Sequence, residues 1–425
     1  MQSHKKPGLN ALNRTLLGMD IYASKAISLR AKADPTIANL SFGEPVFGPP
    51  PYLLEDIGKE DLSLDAFVGA AKRYEDARGS LSLRQAIADW YLDRYDLRLD
   101  PECEIMVTHG AVEAISLAVL VTTEARDRVV VSDPSYMLYA RTLQTLEREP
   151  KRIARPAGVN EYVKMLNRDS HLNGVKAMIV NSPENPTGYV ASMKDWERIG
   201  AAAARSGSWI IHDEVYDVMT FDRPHCPARK IEALAAKSIV INSFSKKFGL
   251  PGLRIGWMIA PRQIIDLAAK AHDYLYLGVN IQYERIAQRL LSDPRKADWL
   301  KSVVAKLQYR CVTALAKLDA NAGYGWTRQP MGAMFLFPDV SGLYQNIPAE
   351  YRTAGVTIGD ATTRYLLDER NIAVVPGSVY GKEGDNHIRL VLCTSDEVFE
   401  QAMHACAQPV EPAIACATAS SGLAR

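Results

Sequence analysis

Lys246 stands in the segment Ser243-Phe-Ser245-Lys246-Lys-Phe-Gly-Leu-Pro-Gly252-Leu-Arg254-Ile-Gly256. Small hydroxyls flank it, and the glycines behind it allow close approach of the backbone. Arg254 is a permanent cation whose planar fork suits a phosphate. A lysine beside a phosphate site is what Schiff-base chemistry requires. Taken alone, a Ser-x-Ser-Lys stretch reads as a solvated turn. Asp213 ends the apolar run Trp209–Asp213, at the edge where open α/β sheets bind ligands. The competing reading of Asp213 is a helix cap. Arg389 sits in a short apolar stretch, where an unpaired charge is costly. A carboxylate gripped in two-pronged fashion accounts for it, with an internal salt bridge as the alternative. Asn185 and Tyr216, viewed singly, are a turn asparagine and a buried tyrosine.

Set in order along the chain, these segments resemble the class I/II aminotransferases, the fold-type I enzymes that use pyridoxal 5′-phosphate. The segment from Ser243 to Gly256 fits that family's S-x-S-K and G-x-R-x-G pattern at every fixed position. Ser41-Phe-Gly43-Glu-Pro45 resembles the loop that lies over the substrate. Tyr74, Gly79 and Leu83-Arg84 resemble Y-x(4)-G-x(3)-L-R. Thr108-His-Gly110-Ala111-Val112-Glu-Ala114 resembles T-x-G-x-x-x-A, Asp133-Pro-Ser-Tyr136 the P-x-aromatic step, and Pro183-Glu-Asn185-Pro-Thr-Gly188 the P-x-N-P-T-G loop. Asp213-Glu-Val-Tyr216 resembles D-E-x-Y. Pro376-Gly-Ser with Gly381 and His387-Ile-Arg389 resembles the last motif, with Tyr380 where phenylalanine is usual.

The resemblance implies an enzyme that moves an amino group between an L-amino acid and a 2-oxo acid through a Lys246 Schiff base, in a ping-pong cycle. Lys246, Asp213 and Tyr216 are then the catalytic residues. It implies that the cofactor is held by Gly110, Ala111 and Val112 at a helix start, where backbone N–H groups favour anions. Ser243, Ser245 and Arg254 complete the phosphate site, Tyr136 stacks on the ring, and Asn185 and Tyr216 reach its phenolic oxygen. Asp213 would keep the ring nitrogen protonated. Tyr74 would cross to the partner subunit's phosphate, which implies a homodimer. Gly43, Asn185 and Arg389 would bind the substrate, Arg389 at its α-carboxylate. No metal is expected.

Other outcomes share the same residues: β- or γ-elimination or replacement, cyclisation, and oxidation by dioxygen in a biosynthetic pathway. A cofactor-binding transcription regulator is the remote alternative, disfavoured because the residues ahead of Gly43 lack helix-turn-helix spacing. Gly377–Lys382 is one residue short of a phosphate loop, and His212-Asp213-Glu214 cannot all face one ion because strand side chains alternate. His109, at the mouth of the phosphate loop, is read as a substrate-facing or proton-handling group, or blandly as a polar loop residue. Leu16–Tyr22, Phe47 and Tyr274–Asn280 are further candidates for side-chain selection.

These residues need a scaffold. Short apolar runs at Glu104–Thr108, Arg128–Ser132, Ala177–Asn181, Trp209–Asp213, Ser238–Asn242 and Ile255–Ile259 read as strands buried on both faces. Helical patterns at Gly110–Leu120, Ser135–Leu146, Met193–Ser206 and Pro227–Ala236 alternate with them. That rhythm predicts an α/β fold with a mostly parallel central sheet and helices on both faces. Beyond it, a helix at Ala297–Leu318, strands near Ala333–Phe337 and His387–Cys393, and a helix near Thr362–Glu369 predict a smaller α+β domain. Ser341–Asp360 lacks periodicity and reads as an insertion or mobile loop. The expected organisation is an N-terminal segment over the active site (1–45), a large cofactor-binding domain (46–296), a small domain (297–406) and a disordered tail (407–425).

The 425 residues are 47% hydrophobic and 23% charged, an ordinary globular balance. Fifty basic against 49 acidic residues leave a net charge of +1, without the broad footprint of a nucleic-acid or membrane binder. No run is long and apolar enough for a membrane span, and no secretory signal is visible. The six cysteines form no C-x-x-C pair, and reduced thiols in the cytoplasm are expected.

Overall fold

The structure, a computed structural model, describes residues 13–19, 23–155, 166 and 169–410. Its centre is a seven-stranded sheet: β1 (Ile105–Thr108), β2 (Arg128–Asp133), β3 (Glu149–Ala154), β4 (Val175–Asn181), β5 (Trp209–Asp213), β6 (Ser238–Ser243) and β7 (Gly256–Ile259). The spatial order is β1-β7-β6-β5-β4-β2-β3. All strands are parallel except β7, which runs antiparallel to β1 and β6. Both faces of the sheet are covered, so even the edge strand β1 and the central β6 are buried at every position, with Ile239, Val240 and Ile241 forming the apolar middle of β6. Two clusters, one holding Ile211, Ile239, Ile241 and Met258 and the other Val240, Trp257 and Ile259, pack on opposite faces.

One strand went unread in the sequence. β3 carries Glu149, Pro150, Lys151 and Arg152, and only Ile153 is buried. It pairs with β2 alone and so forms the sheet edge, where proline and charge are tolerated and discourage further pairing. Pro227–Ala236 also differs from expectation. It is a 3₁₀ turn at Ala228–Lys230 followed by a short helix at Glu232–Ala235.

Beyond the sheet, the helix Lys296–Lys317 leads to a three-stranded sheet of Phe335–Leu336, Val375–Pro376 and Ile388–Val391. Ala38–Asn39 near the N-terminus pairs in parallel with Ile372–Ala373. Ser341–Asp360 is not an unstructured loop. It contains a helix at Ser341–Asn346, a 3₁₀ turn at Ala349–Tyr351 and the start of the helix Ile358–Glu369, capped by Thr357. Leu343, Ile347 and Tyr351 are buried and four residues apart, a helical period interrupted by Pro348. The last helix, Asp396–Ala407, ends where a disordered tail was expected, and residues 411–425 lie outside the described residues. So do residues 1–12 and 20–22 of the segment expected to cover the active site. Among the described residues no helix is long and apolar enough to cross a membrane.

Candidate active site

The sheet delivers its polar residues at one edge. β5 ends on Asp213 and β6 on Ser243, and the chain turns at once into the short helix Phe244–Lys247 that carries Lys246. β1 ends at Thr108, and Gly110, at φ +81°, turns the chain into the helix Ala111–Thr122. That positive φ is strained for any residue with a Cβ, and a Cβ on Gly110 would also lie 2.6 Å from Arg254 Nη2 and displace it. Arg254 Nη2 donates to the backbone oxygen of His109 at 3.2 Å.

Two cavities meet at Lys246. The first, about 140 Å³, is lined by Ala111, Val112, Asp213, Ser243, Ser245 and Arg254. The second, about 330 Å³, is lined by Ser41, Phe42, Gly43, Glu44, Phe335 and Arg389. Tyr136, Asn185, Tyr216, Lys246 and Pro251 belong to both. The structure thus brings together all the expected site residues except two. Gly110 is the hinge just behind Ala111, and Tyr74 lies outside both cavities with 79% of its surface exposed.

Lys246 Nζ donates to the backbone oxygen of Gly43 at 2.8 Å, and burial pushes its pKa down to about 8. Asp213 is also buried. Burial raises its pKa to about 6, although Tyr139 Oη at 2.6 Å and the Val215 N–H at 3.2 Å both stabilise its charge. Arg389 donates to the Ser41 oxygen at 2.6 Å and to Asn185 Oδ1 at 3.3 Å. Its Nε is buried without a partner, and among the described residues no carboxylate pairs with it. The internal salt bridge considered for Arg389 is therefore absent among the described residues. Burial and the charge of Asp213 raise the Tyr216 phenol well above its usual range.

Sequence reasoning missed Tyr139, which lies one helical turn beyond Tyr136, the two rings 5.5 Å apart. It also missed Asn181, whose Oδ1 accepts the Asn185 N–H at 2.7 Å and whose Nδ2 donates to the Asp213 backbone oxygen at 2.9 Å. Conversely, His109, Phe47 and Tyr274–Asn280 line neither cavity. The His109 ring bonds Glu113 at 3.0 Å and stacks on His272, and Phe47 packs near Trp299. His212 and Glu214 share the strand face opposite Asp213 and meet His225 there. Both His212 nitrogens are engaged, with the Ser182 oxygen and the Ala228 N–H.

The sequence profile of the family described as aminotransferase class I and II matches residues 35–405. The chain belongs to this family. An aspartate aminotransferase of Pyrococcus abyssi (strain GE5 / Orsay) is 29% identical over 372 residues, 86% of this chain and 90% of that protein. A glutamate-pyruvate aminotransferase of Escherichia coli (strain K12) is 27% identical, over 86% of this chain and 85% of that protein. The solved aromatic aminotransferase of Pyrococcus horikoshii OT3 superposes with a TM-score of 0.76 at 26% identity, covering 90% of this chain and 97% of that one. This aminotransferase has the fold-type I architecture, depends on pyridoxal 5′-phosphate, and acts on amino acids and 2-oxo acids.

The residues present fit that cofactor. Gly110 offers no side-chain cap, so the first-turn N–H groups of the helix Ala111–Thr122 are available to an anion beside Arg254. Asp213 is a buried carboxylate with no cation paired to it among the described residues, as a protonated ring nitrogen requires.

Proposed function

We propose that Lys246 is the residue that joins this aminotransferase's cofactor and moves the substrate's proton. The observation that carries the reading is the place of Lys246 on the wall shared by the two cavities, with phosphate-type donors along one and Arg389 in the other. Pyridoxal 5′-phosphate, when bound, supplies an aldehyde carbon that bonds amines covalently and a ring that holds the electron pair left on Cα.

The chain's own residues do the rest. Ala111 and Val112 N–H, Ser243, Ser245 and Arg254 would hold the phosphate, and Tyr136 would cover the ring. Asn185 and Tyr216 would donate to the ring's oxygen, and Asp213 would keep a proton on its nitrogen. Arg389 would grip the substrate's α-carboxylate with Asn185 beside it, which supplies the buried cation with its anion. Gly43 holds the Lys246 amine through its carbonyl oxygen. With a pKa near 8, that amine is partly neutral at physiological pH and can take the proton from the substrate's Cα. Beyond Lys246, Arg389 is the one cation in the second cavity's described lining, and the α-carboxylate uses it. Phe42, Tyr136, Tyr216 and Phe335 form much of the remaining wall, which favours donors with neutral side chains over dicarboxylic ones.

A homodimer completes the reading. Tyr74, Tyr274 and Tyr276 are exposed, Gly278 approaches the Glu75 backbone, and the Tyr276 ring lies 5.5 Å from that of His109. An aromatic surface of this kind suits a second copy of the chain, into whose site Tyr74 would reach. The five described cysteines are free, which supports a cytoplasmic setting.

The test is a panel of amino donors with 2-oxo acid acceptors, products weighed by mass spectrometry. Keto acid with aminated cofactor supports the reading, and neutral donors should outpace aspartate. Ammonia without aminated cofactor would refute amino-group transfer in favour of elimination or oxidation, and turnover kept by Lys246→Ala would refute the role of Lys246.

A further inference from the structure

The residue after Lys246 is a second lysine, and its side chain goes elsewhere. Lys247 is fully buried, with Nζ 2.7 Å from Asp217 Oδ1 and 2.8 Å from Asn242 Oδ1. The rings of Trp257 and Trp90 lie 4.8 and 5.1 Å from it. Asp217 Oδ2 accepts the Tyr95 hydroxyl at 2.7 Å. Asn242 Nδ2 donates to Glu214 Oε1 at 3.1 Å, and Glu214 is held in turn by Tyr91 and by His225 at 2.8 Å.

Three adjacent pairs are split between this network and the cavities. Asp213, Ser243 and Lys246 line the cofactor cavity, while Glu214, Asn242 and Lys247 meet behind it. Side chains alternate across a strand, so the ends of β5 and β6 serve both sides at once, and the short helix that follows β6 sends Lys246 and Lys247 apart in the same way. Stability alone is a poor reason for the buried pair. An apolar pair of similar volume commonly serves as well or better, because burying two charges costs what their attraction returns. What the ionic pair adds is direction: the hydrogen bonds that anchor its two ends, Lys247 to Asn242 and Tyr95 to Asp217, set distances that apolar packing leaves loose.

We propose that Lys247, braced by Asp217 and Asn242, is a positioning residue that fixes the helix bearing Lys246 relative to the strand end bearing Asp213. The inference rests on the reading that Lys246 and Asp213 act on the cofactor. That reading fails separately, if borohydride leaves no label at Lys246.

The experiment replaces the pair together, Lys247→Met with Asp217→Leu, in the cofactor-loaded enzyme. Thermal melting reports stability, and the pH midpoint of the cofactor's visible absorption reports the setting of Lys246. The expected result is a folded enzyme whose melting temperature drops only by the few degrees that the stranded Tyr95 hydroxyl accounts for, kcat reduced about tenfold with little change in KM, and a midpoint displaced by about half a unit. Parent-like kcat and midpoint in a stable double variant would overturn the proposal, leaving the pair a structural role only. Should the double variant not fold, Tyr95→Phe removes just the hydroxyl on Asp217. It should lower kcat about twofold to threefold and displace the midpoint in the same sense. A Tyr95→Phe enzyme with parent kcat and midpoint, whatever its melting temperature, would likewise overturn it.

Discussion

The Tyr139 hydroxyl stands 2.6 Å from Asp213 Oδ2, inside a site where both groups are buried. This contact and the Val215 N–H favour the carboxylate, yet burial outweighs them and lifts the Asp213 pKa to about 6. The aspartate is costly to ionise until a cation meets it. A protonated ring nitrogen is such a cation, which makes this residue a liability in the empty protein and an asset in the loaded one.

That gives a signed prediction for the cofactor-free protein. The folded pKa of Asp213 lies above its unfolded value of about 3.9, so the folded state holds the proton more tightly. Its favourable contribution is complete below about pH 4 and is lost as pH rises through about 6, roughly 3 kcal/mol in all. Asp213→Asn does not titrate. Urea unfolding at pH 4.5 and pH 8 should therefore show the variant gaining on the parent as pH rises. In the loaded enzyme the same change should cut kcat on the order of a hundredfold or more.

Arg389 carries the complementary test. A buried guanidinium without a carboxylate is waiting for one, and removing it should strip the substrate of its anchor. Arg389→Gln should lower kcat/KM for amino donors by about two to three orders of magnitude, as loss of one partner in a buried charge pair does. Arg389→Lys should recover little, because a lysine lacks the fork that meets two oxygens at once. Steady-state kinetics on both variants check this. A Gln variant within threefold of the parent would contradict the role.

Lys246 is tested by chemistry as well as by rate. Borohydride treatment of the loaded enzyme should leave a mass label on the peptide bearing Lys246, and Lys246→Ala should take no label and lose turnover. A label on Lys247 instead would contradict the assignment, and the full burial of Lys247 against Asp217 argues for Lys246.

Much of this site was legible in the sequence because its residues sit at fixed offsets from strand ends. Asp213 closes β5 and Lys246 follows β6 by three residues, so short motifs report geometry directly. Arg389 was legible for another reason: a charge inside an apolar strand demands a partner. What escaped notice depends on contacts between distant segments. Tyr139 matters only because its helix, packed on β2 and β3, brings the hydroxyl to the end of β5, and no local pattern says so. Glu214, Asn242 and Lys247 converge from three segments, and each looks ordinary where it stands. In the fold, β3 was missed because an edge strand does not need apolar faces. The 341–360 segment was misread because Pro348 divides a helical period whose buried members, Leu343, Ile347 and Tyr351, are plain once the fold is seen.

His109 also gains a role from contacts that its sequence neighbours only half suggest. Glu113 Oε2 accepts the His109 backbone N–H at 2.5 Å and its ring Nδ1–H at 3.0 Å, while Oε1 accepts His272 Nδ1–H at 2.6 Å. Burial alone would raise the Glu113 pKa, but these hydrogen bonds prevail and hold it down to about 2. The sign is opposite to that of Asp213. The contribution of Glu113 is complete above its unfolded pKa of about 4.3 and is lost as pH falls towards 2, about 3 kcal/mol in all. Glu113→Gln should thus destabilise the protein at pH 7 and make little difference near pH 2, as measured by denaturant unfolding. Because the His109 oxygen also receives Arg254, the variant should hold pyridoxal 5′-phosphate more weakly while its KM for the amino donor stays near the parent's. A Gln variant with parental cofactor affinity would show that the bridge supports the fold and not the phosphate loop.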